Sequence, residues 1–186
     1  MHSSDNYYDR IKPRLYQQIG RELRVAYRVV DFGCGSCELV RFLRDNYRQR
    51  VTGIDISDDD FPGHRGRRSR QSSRRCVKAD SADVGFIRDG TIDAVVSMWA
   101  LHEMDKPGSV LHEAYRILRP GGEILIVEFP RDSMAQQLWD EQYYTVPEID
   151  AMLNEAGFSD LKTKTIKRRQ IIWATGFRPS REVTAG

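Results

Sequence analysis

The run Val29-Val30-Asp31-Phe32-Gly33-Cys34-Gly35-Ser36-Cys37 sets a carboxylate, two glycines and two thiols within a few residues of one another. Glycine has no Cβ, so Gly33 and Gly35 allow a tight strand-to-helix turn and let a ligand come close against the backbone. Asp31 presents its carboxylate beside that turn. About twenty residues on, Asp55 in Gly53-Ile54-Asp55-Ile56-Ser57 offers a second acid, at the spacing that suits a ribose with two hydroxyls. An ionised carboxylate only accepts hydrogen bonds, so it suits hydroxyls and amines and repels phosphate. Two acids around a glycine turn therefore argue for a nucleoside without a pyrophosphate. Cys34 and Cys37 also form a C-x-x-C, a spacing compatible with redox chemistry or half a zinc site, but no second Cys or His pair of matching spacing follows. The expectation is small residues in a turn and no metal. With Cys76 the thiols are odd in number and sit in or beside apolar segments, which predicts reduced cysteines.

These residues need a frame. Short apolar runs rich in β-branched residues alternate with stretches of helical spacing, the signature of a parallel sheet covered by helices. Strands are predicted over 28–32, 51–56, 76–79, 92–98, 123–129, 161–166 and 170–175. Amphipathic helices are predicted over 38–47, 109–118 and 147–156, the last with Thr145 near its N-cap and Gly157 at its stop. The final two strands are joined only by a polar segment around Lys167 to Arg169, which permits an antiparallel hairpin but no parallel crossover. The predicted fold is α/β: a doubly wound, Rossmann-like seven-stranded sheet, mostly parallel, with an antiparallel strand near its end. Residues 1–26 read as a helical lid of one or two turns, 27–176 as the domain proper and 177–186 as a tail.

Bulk composition sets limits on function. The 186 residues are 40% hydrophobic, enough for one domain with a sizeable core. Lys and Arg number 29 against 27 Asp and Glu, a net charge of +2, so there is no global pull toward nucleic acid or an anionic membrane. No apolar run approaches a membrane span and residues 1–10 lack the apolar core of a signal peptide, which predicts a soluble, cytoplasmic protein.

Five segments in order carry a resemblance: the glycine run with Asp31, the acid at Asp55, Lys78-Ala79-Asp80-Ser81-Ala82-Asp83, Ile92-Asp93-Ala94-Val95-Val96-Ser97, and Leu118-Arg119-Pro120-Gly121-Gly122. Together they resemble the seven-stranded class I S-adenosylmethionine-dependent methyltransferases, most closely the small-molecule branch related to quinone biosynthesis. The resemblance implies S-adenosylmethionine as cofactor, with Asp31, Gly33 and Gly35 under its methionine part and Asp55 on the ribose hydroxyls. It further implies Ile56 packed on the adenine, Asp80 and Ser81 at the adenine amino group, and Ser97 lining the methionine side. Cys37 departs from the pattern, because many relatives carry a third glycine there.

A methyl acceptor would then be a small molecule attacking through O, N or S, bounded by segments beyond strands four and five and by the N-terminal lid. His102, in Trp99-Ala100-Leu101-His102-Glu103, could serve as general base or could satisfy backbone groups at the strand end, whereas His112 reads as structural. Tyr7, Tyr8, Trp99, Trp139 and Tyr143 could wall an aromatic pocket for a flat acceptor, or they could be core. The arginine-rich stretch 65–75 reads as a solvated loop, with RNA or protein methylation as the alternative use and a noncatalytic cofactor-binding scaffold as another.

Overall fold

The computed structural model describes residues 5–62 and 75–180. Helix α1 spans Asp5–Glu22, and β1 (Arg28–Phe32), α2 (Glu38–Tyr47), β2 (Arg50–Asp55), β3 (Cys76–Lys78) and β4 (Ile92–Met98) follow. A single 3₁₀ turn, Leu101–Glu103, precedes α3 (Pro107–Ile117), β5 (Leu118–Glu128), α4 (Met134–Trp139), α5 (Val146–Glu155), β6 (Ser159–Ile166) and β7 (Ile171–Phe177). The seven strands form one sheet in the order β3-β2-β1-β4-β5-β7-β6. β7 pairs antiparallel with both β5 and β6, and the remaining pairings are parallel.

Burial explains this order. In β1 and β4 nearly every side chain is covered, as expected for central parallel strands with helices on both faces. β6 alternates partly covered with exposed residues and carries Lys162 and Lys164 on its open face, which suits an edge and discourages pairing with another chain. One apolar cluster, with Leu15, Ile19, Leu39, Val40 and Leu43, lies under α1 and α2, and a second, with Val110, Leu111, Ile149 and Leu153, lies under α3 and α5.

Several boundaries differ from the sequence reading. α1 is an 18-residue helix with Pro13 inside it, because Tyr8, Leu15 and Ile19 bury a continuous stripe, with Leu23 just beyond its end. β5 begins at Leu118, not at residue 123: Leu118 already pairs with Ile92, and the Pro120-Gly121-Gly122 segment that reads as a turn is absorbed as an irregularity in the ladder. α5 starts where Thr145 and Glu148 form a reciprocal capping box, and Gly157 follows at φ +96°. Past β7, Arg178 is no loose tail, since its guanidinium donates to the carbonyls of Tyr115, Arg116 and Leu118. Most of the arginine-rich stretch, 65–74, and the last residues, 181–186, lie outside the described residues. Among the described residues no helix is long and apolar enough to cross a membrane.

Candidate active site at the carboxyl ends of the strands

A cavity of about 610 Å³ opens where β1, β2 and β4 end. Of the eight residues expected around a cofactor, Asp31, Gly33, Gly35, Asp55, Ile56, Asp80 and Ser81 line it. Ser97 does not: it is buried at the end of β4, with its Oγ unpartnered. The glycine turn shows why those residue types stand there. Gly33 (φ +73°) runs so close to Ala100 that an added Cβ would come within 2.2 Å of the Ala100 Cβ. At Gly35 (φ +46°) a Cβ would meet nothing within 4 Å, so this glycine keeps the cavity floor open instead of relieving a clash. Gly53 on β2 makes room from beneath, since a Cβ there would press on Cys34 and Val40.

Asp55 ties this floor together. Its Oδ2 accepts from Gly35 N at 2.8 Å and its Oδ1 from Ser57 N at 3.1 Å, leaving further lone pairs toward the cavity. Ile56 beside it is 70% exposed, an uncovered apolar surface on the cavity wall. Asp80 accepts from Ala82 N through one oxygen. Asp31 is fully enclosed, and burial, with the nearby Asp55 charge adding to it, pushes its carboxyl up to about 8. Six acidic side chains line the cavity, Asp31, Glu38, Asp55, Asp80, Glu103 and Asp105, against the two lysines Lys12 and Lys106. Lys12 is itself paired with Glu38 at 2.6 Å. Such a wall disfavours a phosphate and favours a cation.

Lys12, Tyr16, Glu38, Glu103 and Met104 belong to this wall although the sequence reading did not single them out. Lys12 and Tyr16 are four residues apart on α1, and that spacing was the available signal for two side chains on one helix face. The residues predicted to wall an acceptor pocket instead pack mainly on one another. Tyr8 contacts Trp99, Phe129 and Trp139 edge-on or tilted, and Trp99 stacks on Phe129 with centroids 4.9 Å apart. Tyr8 and Tyr143 are buried, and of the five aromatic residues and His102 only Trp99 reaches the cavity. The Tyr7 hydroxyl donates to Lys167 O, while that of Tyr8 donates to Gln170 and accepts from Ala135 N, fastening α1 to the β6–β7 hairpin and α4. Trp99 sits at φ +58°, and its buried indole N–H lacks a partner.

His102 lies off the cavity wall. Its Nδ1 is 2.9 Å from Glu128, which is wholly buried, and its Nε2 is 3.0 Å from Glu141. Burial alone would lower the imidazole pKa, but the hydrogen bond and charge of Glu128, with Glu103 and Glu141, outweigh it and hold the ring above its ordinary value. Both ring nitrogens face carboxylate oxygens. The sequence leaves His102 as general base or structural tie, and in the fold its ring stands between two carboxylates and does not line the cavity.

The cysteines also depart from expectation. Cys37 and Cys76 form a disulfide that joins the start of α2 to the start of β3, and Cys34 is the free, buried thiol. Cys37 Sγ lies 3.9 Å from Cys34 Sγ. Sequence spacing hid the pair, because 39 residues separate its members and only the β2–β3 ladder, with Cys76 opposite Gly53, brings them together.

The model of a methyltransferase domain matches residues 30–126. A ubiquinone/menaquinone biosynthesis C-methyltransferase from Ruegeria sp. is 27% identical over 138 residues, covering 70% of this chain and 54% of that protein. The chain thus spans about half the length of this curated relative. Among solved structures, a SAM-dependent methyltransferase from Archaeoglobus fulgidus superposes with a TM-score of 0.73 over 95% of this chain and all of the other, at 14% identity. The [4+2]-cyclase SpnF gives 0.74 over 90% of this chain and 80% of its own, at 19% identity. With the acid-lined glycine turn, the strand order and the domain match in agreement, the chain belongs to the class I methyltransferases, the family whose cofactor is S-adenosylmethionine.

Proposed function

We propose that this chain binds S-adenosylmethionine in the acid-lined cavity and transfers its methyl group to a small-molecule acceptor. The observation that carries this reading is the acidic wall, six acidic side chains against two lysines, around a floor that Gly35 leaves open. The cofactor supplies an electrophilic methyl group on a sulfonium, which needs a nucleophile in line more than it needs a base. Asp31 would hold the ammonium, Asp55 the ribose hydroxyls, Ile56 one face of the adenine and Asp80, beside Ser81, the adenine amino group. Asp31, desolvated and without a cation beside it, gains most from an arriving ammonium. Trp99 lines the cavity with its ring backed by Phe129, and would present its remaining flat surface to a planar acceptor. His102, locked between Glu128 and Glu141, orients the turn that carries Glu103 and takes no proton from the acceptor. The Ruegeria relative is named for carbon methylation, so quinol-like carbon acceptors join oxygen, nitrogen and sulfur nucleophiles among the candidates.

The test is transfer of label from methyl-labelled S-adenosylmethionine to a panel of phenols, quinols, amines and thiols. A labelled small product that disappears on Trp99→Ala supports the reading. Tight cofactor binding with no turnover on any acceptor, or label appearing on RNA or protein alone, would contradict it.

A further inference from the structure

A second cavity of about 640 Å³ lies at the opposite end of the sheet, beside the first residues of β1 and β2. Arg50 opens β2 and Asp55 closes it, so five steps of about 3.3 Å separate the two sites by ~16 Å along the strand. Four guanidiniums line it, those of Arg44, Arg48, Arg50 and Arg75, and no carboxylate does. Arg44 is paired with Asp45. The Asp45 carboxylate also feels the charge of Arg75, whereas Arg48 and Arg50 take part in no ion pair among the described residues, so their two charges add.

Two further features make this more than a basic patch. Tyr27 lines the cavity with its side chain 62% exposed, a free ring at the rim. Gln49 lines the cavity and is 3% exposed, its amide N–H₂ is committed to the carbonyls of Leu23 and Ala26, and its buried Oε1 has no donor to accept from among the described residues. A buried acceptor left unpaired costs free energy that a ligand N–H or O–H recovers. Guanidiniums bind phosphate oxygens in a fork, an exposed ring stacks on a flat heterocycle, and the Gln49 carbonyl accepts from an amino or hydroxyl group.

From this combination we infer that the arginine-lined cavity is a binding site for a nucleotide, taking the phosphates at Arg48, Arg50 and Arg75 and the base at Tyr27 and Gln49. It is independent of the methyl-transfer reading, because it shares no residue with the acid-lined cavity.

The experiment is calorimetric titration of the purified chain, saturated with S-adenosylhomocysteine so that the first cavity is filled, with cytidine diphosphate, inorganic pyrophosphate and a 12-nucleotide single-stranded RNA. Cytidine diphosphate should bind at least tenfold tighter than pyrophosphate. The exposed-residue variant Arg48→Gln/Arg50→Gln should weaken both at least tenfold, and Tyr27→Ala should weaken only the nucleotide. Neither variant touches the core, so an unchanged melting temperature will separate lost binding from lost fold. No heat with either small anion, equal affinity in the arginine variant, or binding of the RNA alone would overturn the assignment.

Discussion

Asp55 does two jobs in this account, and replacing it separates them. Its carboxylate accepts from Gly35 N at 2.8 Å and Ser57 N at 3.1 Å, fastening the glycine turn to the end of β2, and it faces the cavity where a ribose would lie. Asp55→Ala removes both backbone bonds, which at a partly covered site should lower stability by about 1 to 3 kcal/mol. Each kcal/mol should take ~2–4 °C off the melting temperature of a chain this size. It also removes the acceptor for two hydroxyls, weakening S-adenosylhomocysteine by about 1 to 3 kcal/mol, or roughly five- to 150-fold in Kd. Asp55→Asn keeps one carbonyl oxygen and should fall between wild type and alanine on both scales. Calorimetric titration and thermal melts of the three proteins read the two quantities separately. A destabilised Asp55→Ala that binds the cofactor product as tightly as wild type would refute the ribose role and leave Asp55 as a brace for the turn alone.

Asp31 makes binding pH-dependent. Raised to about 8 by burial and then by Asp55, it is largely protonated in the free chain at pH 7, and an incoming ammonium favours its ionised form. Affinity for S-adenosylmethionine should therefore rise with pH, approaching tenfold per unit below 8, and then level off, with proton release seen as a buffer-dependent heat at pH 7. Because the folded value lies above the unfolded one, the free chain should also lose stability as pH climbs through that interval, and Asp31→Asn should abolish both trends. Gly33→Ala and Gly35→Ala should fail differently. The first meets Ala100 and should cost a few kcal/mol of stability on denaturant melts, whereas the second should cost about 1 kcal/mol of stability for its positive φ yet lose cofactor binding more than tenfold. The Cys37–Cys76 bond closes a 39-residue separation, for which chain entropy gives about 4 kcal/mol, so Cys37→Ser or dithiothreitol should lower the melting temperature, and the unreduced denatured chain should show one free thiol.

Residues read from local chemistry were legible in the sequence, and residues that depend on distant partners were not. Asp31, Gly33, Gly35 and Asp55 announce themselves, because a glycine turn between strand and helix and an acid at the next strand end are short-range patterns, whereas Ile56 came only with the family resemblance. The β6–β7 hairpin was likewise readable from three polar residues that cannot span a crossover. Tyr8 and Tyr143 looked like pocket walls because an aromatic side chain carries no mark of whether its neighbours leave it space, and here Phe129 fills that space. His102 stayed open between base and structural tie for a related reason: its two carboxylate neighbours arrive from β5 and from the segment after α4, which local sequence does not show. The disulfide depends on the β2–β3 register, which local spacing does not encode.

The central claim is that the acid-lined cavity holds S-adenosylmethionine. Calorimetric titration with S-adenosylmethionine, S-adenosylhomocysteine and, as control, NADH tests it most directly. The account predicts micromolar binding of both sulfur ligands and none of the dinucleotide, whose pyrophosphate meets the acidic wall around Asp55 and Asp80. Binding of NADH, or of neither sulfur ligand, would contradict it.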